Sequence, residues 1–323
     1  MSLDTRGVAL SAEQAAQRIT ELVRETPLER SPFFSEKFSA EVFLKLENQQ
    51  RTGSFKLRGA SNRLMTLSAE QRAKGCVAAS SGNHGAAVAY AMRELGANGV
   101  IFVPEQTSKA KVEAIRNYGG EVRFFGSDGL DTEQHAREFA DTNGMFYLSP
   151  YNDAEVIAGQ GSCGIEIANQ LADADAVFVA VGGGGLISGV GSVLKTRNPD
   201  IYLVGCQPDA SAVMAKSIQA GHILDIPSDP TLSDGTAGGI EAGSLTFDLC
   251  RQLVDEFVLV SEAEIAQAMR EFLAEQQSEI EGAAGVAIAA MNHCRGSIAG
   301  KKVVVIVCGG NISQETLDAS RTL

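Results

Sequence analysis

The apolar positions along this chain change period repeatedly, and the changes mark out its elements. Val42-Phe43-Leu44-Lys45-Leu46 alternates, which predicts a strand. Leu57, Ala60, Leu64 and Leu67 recur at helical spacing, which predicts a helix over Phe55–Leu67 behind a polar loop at 48–53. Short apolar runs follow at Cys76–Ala79, Val100–Val103 and Val122–Phe125, alternating with helical patterns at Ala86–Leu95, Lys109–Tyr118 and Thr132–Thr142. Ser68 and Gln71 pair as a cap for a short helix before the first of these runs. A second series starts near Ser149. It has a helix at Gly161–Leu171, an apolar strand at Ala176–Val181, a helix at Leu186–Lys195 and a strand at Tyr202–Cys206. It continues with a helix capped by Ser261 and reaching Gln277, a small-residue helix at Gly285–Met291, and a strand at Lys301–Cys308. At the other end, Ser11 and Gln14 read as a capping box that opens a helix to Arg24. Strands alternating with short helices predict an α/β fold, with parallel-rich sheets flanked by helices.

Composition narrows the function. A length of 323 residues exceeds one comfortable core and predicts two domains. The formal charge of −13, from 27 basic and 40 acidic side chains, argues against nucleic acid or an anionic membrane as partner. No apolar run approaches the roughly 20 residues of a membrane span. Cys76, Cys163, Cys206, Cys250, Cys294 and Cys308 form no metal-ligand spacing and sit largely in apolar runs. With no charged-then-apolar leader, they predict a reducing, cytoplasmic setting.

Four stretches carry chemistry. Lys56, at the mouth of a predicted helix and beside Phe55, reads as a reactive amine rather than a surface charge. Gly182, Gly183, Gly184 and Gly185 join an apolar strand to a helix, where backbone amides and the helix dipole suit an anion. No Lys-Ser or Lys-Thr pair follows, so this is not a P-loop. Read from Gly183 as Gly-x-Gly-x-x-Ser, with Asp209 about 20 residues on for a ribose, it leaves a nicotinamide oxidoreductase as an alternative. Ser80-Ser81-Gly82-Asn83-His84-Gly85, also between a strand and a helix, offers donors for a carboxylate. Cys308 closes the last strand, at the sheet edge where α/β folds bind ligands. Glu281 reads as a charge at a helix start and is given no chemical role. An amine, an anion cradle, a carboxylate cradle and a group at a strand end together suffice for pyridoxal phosphate.

Ser54–Ala60, Ser80–Gly85, Val156–Gly161 and Gly182–Leu186 resemble, in order, the motifs of the serine/threonine dehydratase and serine racemase family. The resemblance runs from about Thr26 to Asn311. It implies a two-domain pyridoxal phosphate fold of type II (tryptophan synthase β-like). The large cofactor domain would comprise residues 1–50 and 149–323, and the small domain residues 51–148. It further implies that Lys56 attaches the cofactor and serves as base, with Phe55 beside the ring and Asn83 at the ring hydroxyl. Gly182 to Gly185 with Leu186 would hold the phosphate, and Cys308 would meet the ring nitrogen. Ser80, Ser81, Asn83 and His84 would bind the substrate carboxylate, Ser81 standing where racemases place their second acid/base group. The implied reaction converts a β-hydroxy amino acid, such as L-threonine or L-serine, to a 2-oxo acid and ammonia. Serine racemisation and dehydration of 3-hydroxyaspartate are the alternatives, the latter because Gly238, in the stretch 236–239, leaves room for a larger side chain. Gln207 and Val213 stand where metal-binding members carry acids, so no metal is expected there. A homodimer is expected, and feedback through a C-terminal regulatory domain is not.

Overall fold

The computed structural model describes residues 3–323. Among these residues, ten strands form two sheets: β1 (Leu28–Arg30), β2 (Glu41–Leu46), β3 (Cys76–Ala79), β4 (Gly99–Val103), β5 (Glu121–Phe124), β6 (Phe146–Tyr147), β7 (Ala176–Ala180), β8 (Tyr202–Pro208), β9 (Glu256–Val260) and β10 (Lys302–Val307). The six-stranded sheet runs β1-β2-β10-β7-β8-β9, and the four-stranded sheet β5-β4-β3-β6. Every pairing is parallel except β1 with β2. A parallel strand is covered by helices on both faces, so its sequence is apolar on both. Val303 to Val307 obeys this: all five side chains are fully buried.

Parallel order puts the strand carboxyl ends on one edge of each sheet. From the large sheet, β10 delivers Cys308 and β7 delivers the glycines from Gly182; from the small sheet, β3 delivers Ser80. The stretch before Lys56 is laced to the end of β10. Ser54 bridges Gly309 in antiparallel fashion, Phe55 N donates to Cys308 O at 3.1 Å, and Gly310 N donates to Gly53 O at 2.9 Å. Helix Lys56–Thr66 therefore begins beside Cys308.

Most elements lie where periodicity places them, and two differ in an instructive way. The first helix spans Thr5–Arg18, with Asp4 as its cap and Ser11 in its interior. The Ser11 box fails because an earlier side chain already caps the N–H of Arg6. The helix expected at Gly161–Leu171 begins at Ala154, capped by Asp153 Oδ1, which accepts from the N–H groups of Glu155 and Val156. The stretch Val156–Gly161 thus lies inside a helix, and its Gly159 is a packing device. A Cβ on Gly159 would fall 2.6 Å from Arg58 O, and one on Gly59 would fall 2.4 Å from Gln160 Nε2. Two helices cross there almost backbone to backbone, which fixes the Lys56 helix on the one at Ala154–Gln170.

Candidate functional site

Lys56 opens its helix, and its half-buried side chain reaches across to the segment after β6. Nζ donates to Pro150 O at 3.0 Å and lies 5.2 Å from the centroid of the Phe55 ring. Burial pushes the amine down to about 8, although Glu281 and Cys308 pull the other way. A substantial neutral fraction near pH 7–8 is what a nucleophilic or basic lysine needs.

Two positions further along the same helix the surroundings reverse. Arg58 is fully buried and held by two carboxylates: Glu47, through Nη2 at 2.7 Å and Nε at 2.8 Å, and Glu166, through Nη1 at 2.6 Å and Nη2 at 2.8 Å. Lys45 joins them, donating to Glu166 at 2.6 Å and to Thr26 O at 2.7 Å. This network ties the Lys56 helix to the end of β2 and to helix Ala154–Gln170. It was not legible from the sequence, because its four charged members lie scattered between positions 45 and 166.

Asn83 and His84 sit in the first turn of helix Asn83–Leu95, which starts three residues before the apolar pattern. Asn83 Nδ2 donates to Glu281 Oε2 at 2.7 Å, and its Oδ1 accepts from Asn311 Nδ2 at 2.7 Å. His84 is buried, with Nε2 2.9 Å from Leu148 O, so that nitrogen carries the hydrogen. Burial, with the charge of Lys56 behind it, drives His84 down to about 3 and keeps it neutral. Its Nε2 donor is already committed inside the protein. Ser80 Oγ accepts from Gly82 N at 3.2 Å, and Ser81 is half-buried beside it.

The glycine turn is shaped by close neighbours. A Cβ on Gly182 would meet Thr236 Cα at 2.9 Å, and one on Gly183 would meet the Tyr151 ring at 2.5 Å. Gly184 has φ +84°, which favours glycine. Helix Gly185–Arg197 then starts with no side-chain cap, leaving its first N–H groups to a ligand, with Leu186 in the first turn. Lys56 Nζ bonds the carbonyl of Pro150, and the next residue, Tyr151, packs on Gly183 and Gly185; a half-buried amine beside a glycine turn and an uncapped helix start fits a phosphate-bearing aldehyde.

Cys308, buried at the end of β10, donates through Sγ to Glu281 Oε1 at 3.6 Å. Burial, reinforced by the Glu281 charge, holds the thiol well above its ordinary range, so it stays neutral. Glu281 is the functional candidate that sequence reasoning passed over: an acid at a helix start ordinarily points to water, and only the fold shows this one turned inward. Gln207 is spent internally, Nε2 donating to Val181 O at 3.0 Å and Oε1 accepting from Ala215 N at 2.8 Å. Among the described residues, no group of three or more His, Cys, Asp or Glu side chains is placed to hold a metal. Asp209, the ribose candidate of the nicotinamide alternative, lies exposed in a short 3-10 turn.

Residues 19–309 match the family described as pyridoxal-phosphate dependent enzyme. The chain is 40% identical over 301 residues to the catabolic L-threonine dehydratase TdcB of Escherichia coli (strain K12), covering 93% of this chain and 91% of that one. In three dimensions it is similar to the processed form of threonine deaminase isoform 2 from Solanum lycopersicum, with a TM-score of 0.94, 34% identity, and 99% and 94% of the two chains covered. It is also similar to maize serine racemase, with a TM-score of 0.92, 32% identity, and 100% and 98% covered.

Proposed function

Because this chain belongs to the pyridoxal-phosphate dependent enzyme family, we propose that it is a carbon–nitrogen lyase that converts L-threonine or L-serine to a 2-oxo acid and ammonia. The observation that carries this reading is the Lys56 amine, half-buried, brought to about 8 and lacking, among the described residues, a carboxylate in hydrogen-bond contact, at the edge where the glycine turn and Cys308 converge. The 40% identity to a threonine dehydratase favours elimination, and the likeness to maize serine racemase keeps racemisation, with Ser81 as second acid/base, as the second reading.

When bound, pyridoxal phosphate supplies an electron sink for charge developing at the substrate α-carbon. The chain's own residues do the rest. Lys56 would hold the cofactor's aldehyde carbon and, once displaced by the substrate amine, take the α-proton at Nζ. The N–H groups of Gly182, Gly183, Gly184, Gly185 and Leu186 would hold the phosphate, and Phe55 would pack beside the ring. Asn83 would bond the ring hydroxyl, and Cys308, a neutral thiol, would face the ring nitrogen. A neutral partner leaves that nitrogen without a fixed counter-charge, which favours prompt loss of the β-hydroxyl over transamination. Ser80, Ser81 and Asn83 would orient the substrate carboxylate. The His84 donor is already taken by Leu148 O, so His84 would support the turn from behind.

The division into residues 1–50 with 149–323 and residues 51–148 is part of the same proposal. It is supported by β3 to β6 all falling inside 51–148 and the other six strands outside it. Six free, buried cysteines support a cytoplasmic setting, and no helix among the described residues is long and apolar enough to cross a membrane. A homodimer is proposed from the family resemblance, and light scattering would test it.

The test is to incubate the purified enzyme with L-threonine, L-serine and 3-hydroxyaspartate and measure 2-oxo acid, ammonia and D-serine. Oxo acid and ammonia in equal amounts from L-threonine or L-serine are expected. D-serine without oxo acid would replace the lyase by the racemase, and oxo acid from 3-hydroxyaspartate alone would move the substrate assignment.

A further inference from the structure

Glu281 has no part in the scheme above, yet it touches two of its members. It is the residue before helix Gly282–Ala290, but its side chain makes no hydrogen bond to that helix's backbone. The residue is only 5% exposed. Oε2 accepts from Asn83 Nδ2 and Oε1 from the Cys308 thiol, as described above. Gly309 makes the space, since a Cβ there would fall 2.6 Å from Oε1. The Glu281 N–H donates to Gly309 O at 3.2 Å, so carboxyl and thiol ride on segments bonded to each other. Asn311, by donating to Asn83 Oδ1, fixes the Asn83 amide with its NH2 toward Glu281.

The geometry points to Glu281 as a positioning residue that sets which way the Cys308 thiol hydrogen points, and through it the hydrogen bond offered to the ring nitrogen of the bound cofactor. The inference rests on the proposed placement of Cys308 at that nitrogen. With the carboxylate ionised, Sγ–H is spent on Oε1 and the sulfur turns a lone pair outward, which suits a protonated nitrogen. With the carboxyl protonated, its O–H donates to Sγ and the thiol hydrogen is free to bond an unprotonated nitrogen. Between the two arrangements the carboxyl gives up one proton and the nitrogen gains one. The sulfur gives one hydrogen and takes one, and no charge remains on it. Nitrogen and carboxyl thus share a proton, and its loss to solvent is a property of the pair.

The charged and titratable groups facing Glu281 are Lys56 at the start of its helix, Cys308 at the end of β10, and Asp234 in the loop that precedes helix Leu245–Leu253. Burial is the main influence and Asp234 adds to it. Asn83, Cys308 and Lys56 oppose it, and the carboxyl is left at about 7.

The experiment is a pH titration of the bound cofactor's visible absorption, from pH 6 to 9, in the wild-type holoenzyme and in the Glu281→Gln and Cys308→Ala holoenzymes. The wild type is expected to show one transition near pH 7. The transition should vanish, or move by more than one pH unit, in both variants, including Cys308→Ala, where the carboxyl is intact and only the link is cut. Purely structural damage would lower the melting temperature and leave the midpoint in place. Should Glu281→Gln fail to fold, Cys308→Ala carries the test alone. A flat wild-type titration, or variants that titrate at the wild-type midpoint, would overturn the inference. If Lys56→Ala keeps the wild-type absorption, the proposed site falls and this inference with it. If Lys56→Ala loses that absorption while Glu281→Gln keeps the transition, the inference falls alone.

Discussion

Lys56 and Arg58 are two cations on one helix, two positions apart, and the protein treats them in opposite ways. Arg58 is enclosed and met by Glu47 and Glu166, each with both of its carboxylate oxygens, and those carboxylates hold its charge above the ordinary value despite burial. Lys56 has a carbonyl at 3.0 Å, and the acid whose charge acts on it most, Glu281, is turned to Asn83 and Cys308 and is itself pushed up to about 7. A buried cation given matched carboxylates becomes structure; one denied them keeps a labile proton and becomes chemistry. The two roles depend on each other, because the Arg58 network anchors the helix whose first residue is Lys56.

The sharpest way to break the comparison is to remove each cation in turn. Lys56→Ala should cut oxo-acid formation by about 10⁴-fold or more, with the fold intact. Activity within tenfold of wild type, in a direct oxo-acid assay, would mean that another base does the work. Arg58→Met should act on the other side of the divide. It leaves Glu47 buried without its partner and should cost about 3–5 kcal/mol in urea unfolding, with the cofactor's absorption maximum unchanged. A variant with normal stability and a shifted cofactor spectrum would place Arg58 in the chemistry.

Two smaller effects sharpen it. Gly183→Ala would drive a methyl group to 2.5 Å from the Tyr151 ring. An overpacking cost of about 1–3 kcal/mol should appear as weaker cofactor affinity, roughly tenfold, in an equilibrium dialysis measurement. The smallest effect is on acid stability. Burial alone would raise the Glu47 carboxyl, but the charge and hydrogen bonds of Arg58 outweigh it, so the folded value lies below the ordinary 4.5. The contribution is complete above about pH 4.5 and is lost as pH falls through the folded value. Melting curves from pH 6 to 3 should therefore show a shallower acid limb for Glu47→Gln than for wild type. An equal slope would remove Glu47 from the account.

The amino-acid sequence reveals the reactive half of this comparison far better than the structural half. Lys56, the glycine turn and the Ser80–Gly85 stretch are local patterns, each joining a strand or loop to a helix, and local patterns survive in one dimension. The alternating elements from Cys76 to Cys206 are likewise legible, apart from the two-residue edge strand β6, because parallel strands covered on both faces must be apolar throughout. What stays hidden is long-range. Arg58 meets partners 11 and 108 positions away, and Glu281 meets Asn83 across 198. Nothing in the residues around Glu281 distinguishes an acid facing inward from one facing water. The short edge strand β1 and helix Pro32–Phe38 escape for a different reason, being too brief at 3 and 7 residues to show a period.

The central claim is that Lys56, left without a carboxylate to fix its charge, is the residue that holds the cofactor. Borohydride reduction of the holoenzyme, followed by proteolysis and peptide mass mapping, tests it most directly. The cofactor-derived mass is predicted on the peptide carrying Lys56 and on no other lysine. The same mass on a different lysine, with Lys56 unmodified, would contradict the account.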